Sequence, residues 1–181
     1  MNGHSQSLLL VWKIAEIEAR HLNADKIEPL HLVIAICKAV DLDLPAVLSK
    51  LTPDRDDTLE ESLREVRRLR EVFRVSNMDA KKVRRQLRSK CKRSVRSVAE
   101  AGFLHRSDAA RAVFADAEAF ADFSTVAVYP IHLAYSLLVA PPPELDETLK
   151  EFGIDQARLR QLTRAEMLNG GKPDGNAFQL N

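Results

Sequence analysis

Pro29-Leu30-His31-Leu32 returns in the second half of the chain as Pro130-Ile131-His132-Leu133. Each copy follows an alanine-rich amphipathic segment and leads into a short apolar one. A repeated unit that cannot bury its own apolar face needs a neighbour to close a core. The two copies therefore predict a chain built from two similar halves that pack on each other.

The match extends on both sides of the two histidines. Downstream, the same spacing holds apolar residues in both copies: Leu44, Leu48 and Leu51 in the first, Leu145, Leu149 and Phe152 in the second. Upstream, if the second loop has one extra residue, Ala15, Glu18 and Ala19 pair with Ala115, Glu118 and Ala119. Two copies favour a pseudo-two-fold domain over an open solenoid, because solenoids generally need more repeats and distinct caps.

Composition indicates one globular domain. The chain has 181 residues, 45% of them hydrophobic and 29% charged, and a domain of this size buries roughly 70% of its unfolded surface. Cys37 and Cys91 show no metal-ligand spacing, and Cys37 lies in an apolar run that favours a buried thiol. We expect a reducing compartment, no cofactor and no metal.

The amino terminus gives no sign of export. Residues 1–7 lack the positive charge of a signal peptide, and no apolar stretch reaches the length of a membrane span. We expect a cytoplasmic protein without membrane association.

Apolar spacing predicts an all-α chain. The first half should hold a helix capped by Ser7, a buried helix that starts at Pro29, and a short helix from Pro45 to Leu51. The second half should repeat this plan, with Ser107 as N-cap of a helix to Phe120 and a buried helix from Pro130 to Val139. Two further helices, Glu144 to Phe152 and Asp155 to Met167, should be separated at Gly153.

The halves differ in a charged helix, predicted from Asp57 to Arg74, that only the first half has. After it, Met78-Asp79-Ala80 opens a helix as Ile154-Asp155-Gln156 does. We predict one domain over residues 1–167, with repeat 1 at about 7–95, an insertion at about 52–77 and repeat 2 at about 105–167. Residues 168–181, which hold three of the six glycines, should form a flexible tail or linker.

A basic segment follows the insertion. Nine of the 27 basic residues lie between Lys81 and Arg96, with no acid among them. A possible patch for an anionic partner consists of Lys81, Lys82, Arg84, Arg85 and Arg88. A solvated helix face is the simpler interpretation, and nucleic acid ranks last because the segment has no aromatic residue for stacking.

No motif predicts catalysis. His31 and His132 each begin an apolar helix without a second ligand at a usable spacing, so we interpret both as structural, neutral and hydrogen-bonded near the loop. The sequence has no GxSxG elbow, no HExxH motif and no GxxxxGK[ST] phosphate loop. We predict that the chain is not an enzyme.

These residues resemble the double Clp repeat, the N-terminal domain of the Clp family of AAA+ unfoldases. The family pairs an Ala-x-x-Glu-Ala helix with a loop Ile-Gly-Thr-Glu-His-Leu-Leu. That spacing is held here by Ala15, Glu18, Ala19, Leu22, Ile27, His31 and Leu32, and again by Ala115, Glu118, Ala119, Val128, His132 and Leu133. Residues 153 to 155 are similar to the family's Gly-Ile-Asp repeat ending. The resemblance covers about residues 7–167.

The resemblance implies a compact all-α module that recruits protein substrates or adaptors to an AAA+ ring. One departure bears on the site: the family's Thr-Glu before each histidine is Pro29-Leu30 and Pro130-Ile131 here. In family members that recognise phosphoarginine those acids help to form the guanidinium site, so the resemblance does not imply that activity here. We expect a protein-binding surface at Glu28, Leu30, Tyr129 and Ile131 instead.

The function expected is a non-catalytic substrate- or adaptor-recognition module of a Clp-type ATP-dependent unfoldase or chaperone. One alternative is a free-standing accessory protein that docks on a Clp protease or chaperone ring. The alternative of another class is a helical nucleic-acid-binding protein that uses residues 81–96.

Overall fold

A computed structural model of the protein describes residues 3–43, 56–91, 104–122 and 127–169. Within them the helices are α1 (Gln6–His21), α2 (Pro29–Asp41), α3 (Asp56–Val75), α4 (Ala80–Lys90), α5 (Asp108–Asp122), α6 (Pro130–Val139), α7 (Pro143–Glu151) and α8 (Gln156–Asn169). Two-residue strands, β1 (Gly3–His4) and β2 (Ala127–Val128), complete the order. The all-α prediction is confirmed, whereas the predicted helix from Pro45 to Leu51 lies outside the described residues.

The centre of the molecule is formed by α2 and α6, the two apolar helices that start at Pro29 and Pro130. Val33 and Ile36 of α2 meet Ala134 and Leu137 of α6 around a cavity of about 20 Å³. Helices that are apolar on nearly every side are stable only in the interior. Cys37 is fully buried here, as predicted, and burial raises the pKa of its thiol to about 12.

Short stretches of extended backbone tie each repeat to the other. β1, before α1, runs parallel to β2, before α6, with Gly3 opposite Ala127 and His4 opposite Val128. The equivalent pairing with the two repeats interchanged is also present. Ile27, before α2, forms a parallel bridge with Arg106, before α5. The two halves therefore pack on each other with approximate two-fold symmetry, as the repeat predicts.

The helix caps fix how the halves correspond. The Ser5 hydroxyl accepts from the Leu8 N–H at 3.2 Å, and the Ser107 hydroxyl accepts from the Ala110 N–H at 3.1 Å. Ser107 is the predicted N-cap, but the prediction for Ser7 is wrong by two residues. The Ser7 hydroxyl instead donates to Glu65 of α3.

This correspondence also corrects the predicted pairing of α1 with α5. With Ser5 opposite Ser107, the residues of α5 that match Ala15, Glu18 and Ala19 are Ala117, Phe120 and Ala121. The predicted partners Ala115, Glu118 and Ala119 are exposed, whereas Ala15, Glu18 and Ala19 are buried. Alanine recurs throughout α5, so matching alanines could not fix the register.

Trp12 and Phe114 correspond in the corrected register and also touch each other. Their rings pack edge to face with centroids 5.7 Å apart, and such contact between equivalent residues is expected beside a two-fold axis. The Arg106 guanidinium lies 5.5 Å from the centroid of the Trp12 ring. Trp12 thus packs against the core at the junction of the repeats.

The ends of α3 and α7 correspond as well. Asn77 and Gly153 follow them with φ angles of 54° and 65°, and the carboxylates of Asp79 and Asp155 then cap α4 and α8, each accepting from a backbone N–H at 3.0 Å. Packing follows the same exchange, since α4 contacts α7 and α8 contacts α3.

With Asn77 opposite Gly153, Arg67 stands opposite Pro143, the first residue of α7. Residues 56–66 of α3 therefore extend beyond the start of its counterpart. The charged helix is confirmed, while the limits of the insertion at 52–77 stay a prediction. The end of the domain is corrected in one detail, because Leu168 and Asn169 belong to α8.

Candidate functional site

Both histidines close the first turn of their helices in the same way. The backbone N–H of Glu28 donates to Nδ1 of His31 at 2.9 Å, and that of Tyr129 donates to Nδ1 of His132 at 2.9 Å. A ring nitrogen at the third helical position thus does what a Glu or Gln side chain does in a capping box. Proline at the first helical position removes an N–H that would have no helical partner.

Burial keeps the two rings neutral, and the hydrogen bonds determine which ring nitrogen carries the proton. Burial lowers the pKa of His31 and lowers that of His132 to about 4. Because Nδ1 accepts, the proton of each neutral ring is on Nε2. The described residues contain no group of three His, Cys, Asp or Glu side chains that could hold a metal ion.

The structure separates the four residues predicted to bind protein. Leu30 and Ile131 are each only 8% exposed, Glu28 is exposed and Tyr129 is half-buried. Glu28 and Leu30 line one groove, whose described lining includes neither Tyr129 nor Ile131. The protein-binding role of all four stays a prediction, but they do not form one apolar surface.

That groove has a volume of about 650 Å³ and lies beside the first histidine loop. It lies between the first histidine loop, one face of α5 and the start of α7. Its apolar lining includes Leu30, Ala109, Ala112, Val113, Pro142 and Pro143, and Cys91 lies at its edge. We call it the open groove.

Sequence reasoning missed the α5 and α7 parts of the open groove. Ala109, Ala112 and Asp116 share one face of α5 by their spacing, and all three are exposed. A stripe of small exposed residues was the available signal. It was hidden because the predicted pairing of α1 with α5 was two residues out of register.

The open groove carries negative charge. Three carboxylates line it, those of Glu28, Asp116 and Glu144, and none of its described lining residues is a lysine or an arginine. Nor does any lysine or arginine in the described part of the chain form an ion pair with these three acids. Because His31 is neutral, no cationic side chain among the described lining residues offsets them.

The corresponding place in the other half is covered by α3. Ser7 and Ile14, the counterparts of Ala109 and Asp116, are 1% and 5% exposed, while Ala109 and Asp116 themselves are exposed. Glu65 of α3 accepts from the Ser7 hydroxyl and, at 3.2 Å, from that of Ser5. We call this place the covered groove.

A second contact joins α3 to the second histidine loop. The Tyr129 hydroxyl donates to Glu61 at 3.0 Å, and the Tyr129 ring stacks on His132 with centroids 5.7 Å apart. Burial and the neighbouring Glu61 raise the pKa of Tyr129 to about 12. Burial also raises the pKa of Glu65 to about 7, although the Ser5 and Ser7 hydroxyls oppose the shift.

The predicted basic patch is largely paired within the chain. Arg84 pairs with Asp41 at 3.2 Å, and Lys82 lies 3.9 Å from Asp79. Arg88 binds the buried Glu18, whose carboxylate also accepts from Lys38 at 3.1 Å. Within the described part of the chain, Lys81 and Arg85 are the two residues of the predicted patch without such a pair. Lys92, Arg93 and Arg96 of the basic segment lie outside the described residues. Paired charges attract an anionic partner weakly.

Comparison with solved structures identifies the class of this fold. The structure matches the N-terminal domain of Hsp104 from Candida albicans with a TM-score of 0.61 and 14% identity, over 94% of this chain and 93% of that one. It matches the N-terminal domain of the caseinolytic-protease-associated chaperone ClpD from Arabidopsis thaliana with a TM-score of 0.58 and 17% identity, over 88% and 91%. The chain therefore has the fold of Clp-type N-terminal domains.

A further match is a chain from a malarial protein secretion system, with a TM-score of 0.55 and 15% identity over 92% of this chain and 95% of that one. No model of a protein family matches the sequence, and neither does any curated protein. The resemblance inferred from the two histidine loops is thus confirmed at the level of fold. None of the helices in the described ranges has both the length and the hydropathy of a membrane span.

Proposed function

We propose that this chain is a non-catalytic recognition module of a Clp-type unfoldase or chaperone, and that it binds substrate or adaptor proteins in the open groove. The fold supports the class of module, because the Hsp104 and ClpD structures that it resembles are N-terminal domains of chaperones. The single observation that carries the site is the exposed concave surface at the first histidine loop, while its counterpart is occupied by α3.

The groove has the features of a protein-binding site. Its floor is apolar, with Leu30, Val113 and two prolines, and its rim is polar. An apolar centre within a polar rim is the usual anatomy of a protein interface. The alanines of α5 leave room for a partner's side chains, since Ala109 and Ala112 are exposed and short.

The proposal holds for a module within the unfoldase chain and for a free-standing accessory protein that docks on the ring. A nucleic-acid-binding protein is less well supported, because Arg84, Arg88 and Lys82 have carboxylate partners in the chain. The predicted partners are therefore proteins.

Filling the groove tests this proposal. Ala112→Trp puts an indole into the open groove from an exposed position, so it should block binding without disturbing the core. Ala119→Trp is the matched control, since Ala119 is also an exposed alanine of α5 but does not line the groove. The probe is fluorescein-labelled casein, an unfolded model client, and the readout is fluorescence anisotropy at moderate salt, which screens casein's net negative charge from the three acids of the groove.

We expect Ala112→Trp to weaken casein binding by about tenfold or more, as loss of an apolar anchor does, and Ala119→Trp to bind like the unaltered protein. Equal affinity of the two variants would exclude the open groove as the site. Absence of casein binding to the unaltered protein would count against the recognition function itself.

A further inference from the structure

The covered groove shows how this fold fills such a surface. A helix, residues 56–66 of α3, runs beyond the start of the corresponding α7. Where its side chains are described, Glu61 reaches Tyr129 and Glu65 reaches Ser5 and Ser7. The molecule therefore carries a helical occupant on one side and none of its described helices on the other.

The two grooves share their shape-determining parts. Each is bounded by a proline-started helix with a histidine at its third position and by a helix capped by serine, α1 or α5. A segment in the helical conformation thus fits the walls of the covered groove, and walls built on the same plan surround the open one.

Their chemistry differs at the positions that contact the occupant. Ser7 corresponds to Ala109, Ile14 to Asp116 and Tyr129 to Glu28. The covered groove offers hydroxyl donors, and its occupant supplies the acids Glu61 and Glu65. In the open groove Glu28 takes the place of the Tyr129 donor, Ala109 takes the place of Ser7, and Asp116 and Glu144 add further acceptors. No lysine or arginine lines it among the described residues. Its occupant must therefore supply donors, and cationic ones are favoured over neutral ones.

We propose that the open groove receives an amphipathic helix of a client or adaptor protein, with lysine or arginine on the side that faces the groove. This inference rests on the proposed function, since it names the partner of the same site. Apolar side chains of that helix pack on Leu30 and Val113, while its cations meet the three rim carboxylates.

Peptides derived from α3 itself provide the probes. One is the sequence of residues 56–66, held helical by a hydrocarbon staple across positions 60 and 64, both of which face solvent in α3. The staple is needed because so short a helix is not stable alone. The second has the four remaining acids replaced by lysine, and the third has them replaced by glutamine or asparagine. A fourth is the lysine peptide without the staple and with proline at position 62.

The affinity of each labelled peptide is measured by anisotropy at low and moderate salt. Protection of Cys91 from iodoacetamide reports where the peptide sits, because Cys91 lines the groove and the other cysteine, Cys37, is fully buried. We expect the affinity of the stapled lysine peptide to exceed that of each of the other three by about tenfold or more. It should also slow alkylation of Cys91 and lose affinity as salt rises.

The triple variant Glu28→Gln, Asp116→Asn, Glu144→Gln should abolish the preference for lysine. Its control removes three acids of α5 and α7 that do not line the groove: Asp108→Asn, Glu118→Gln and Glu147→Gln. If the acidic and lysine peptides bind equally, or if the groove triple variant keeps the preference, the cationic partner is wrong. If the proline peptide binds as tightly as the stapled one, the helical form is wrong.

These outcomes are separable from failure of the proposed function. Casein binding that is lost in Ala112→Trp, together with peptides that show no charge preference, would leave the groove as a site and overturn only its cationic partner. If no peptide protects Cys91 and Ala112→Trp binds casein normally, both proposals fail.

Discussion

The two histidine loops have the same local hydrogen bonds but opposite surroundings. In both, a histidine Nδ1 accepts from the backbone at 2.9 Å, after proline has started the helix. Beside the first lies the open groove with its three acids, and over the second lies α3, joined through Glu61 and Glu65.

The difference shows that a duplicated framework can be kept while its two surfaces diverge. Backbone turns and buried helices tolerate little change, since their polar groups need partners and their apolar faces need cover. Surface positions are freer, and here one long helix occupies one of two equivalent places. The repeat thus specifies the fold, and the first part of α3 decides which surface is available.

The largest effect is expected where the repeats differ in their interior. In the first repeat the buried Glu18 binds Arg88 and Lys38, and at the corresponding place in the second Phe120 packs edge to face on Tyr135 at 4.9 Å. Glu18→Ala should lower the free energy of unfolding by about 2–3 kcal/mol, because it removes charge-assisted hydrogen bonds to two cations that are themselves partly exposed.

Urea unfolding at pH 7 measures this effect, with Glu118→Gln as an exposed control on α5. A loss no larger than that of the control would contradict a structural role for the Glu18 cluster.

The histidines give the next effect, and it depends on pH. The folded pKa of His132 is about 4, below the unfolded value of 6.5. Its contribution to stability is therefore intact above pH 6.5 and is lost as the pH falls towards 4. His132→Gln keeps an acceptor at the capping position but does not titrate, so it should remove about 2 kcal/mol of the acid-induced loss of stability.

Denaturant titrations from pH 7.5 to pH 4.5 test the prediction. His31→Gln is the matched variant in the other loop, where burial also lowers the pKa. Unchanged pH dependence in both variants would show that neither ring titrates on unfolding.

Glu65 should show the opposite pH dependence. Its folded pKa of about 7 lies above the unfolded value of 4.5, so its contribution is fully present below pH 4.5 and is lost as the pH rises through 7. Glu65→Gln should stabilise the protein by about 1 kcal/mol at pH 8 and have little effect at pH 5. Thermal unfolding at both pH values measures it, and Glu60→Gln, at an exposed carboxylate of α3, is the control. Destabilisation by Glu65→Gln at pH 8 would contradict the burial of this carboxylate beneath α3.

The smallest effect concerns the Tyr129 hydroxyl. Tyr129→Phe removes its hydrogen bond to the exposed Glu61 and should cost about 0.5–1 kcal/mol. Glu61→Ala removes the acceptor, so in that background Tyr129→Phe should cost less, and a double-mutant cycle measures the difference. Complete additivity would mean that the bond does not hold α3 to the loop.

The sequence was informative wherever a local rule determined the structure. Pro29 and Pro130 predicted the starts of both buried helices. Ser107 predicted the N-cap of α5, and Gly153 predicted the break between α7 and α8. The register of α1 against α5 was missed because alanine is frequent on every face of α5. The open groove was missed because its lining residues, among them Glu28, Asp116 and Glu144, are far apart in the sequence. No local pattern indicated that α3 would lie over the second loop, since that position depends on tertiary packing.

The accessibility of thiols at equivalent positions is the most direct test that one groove is open and the other is covered by α3. In a Cys91→Ser background, Ala109→Cys and Ser7→Cys place a thiol at corresponding sites of the open and covered grooves, and both replacements are small. We expect the thiol of Ala109→Cys to react with a disulfide reagent at a rate about tenfold or more above that of Ser7→Cys, because α3 shields the thiol of Ser7→Cys. Equal reaction rates would contradict the claim that one groove is open and the other covered.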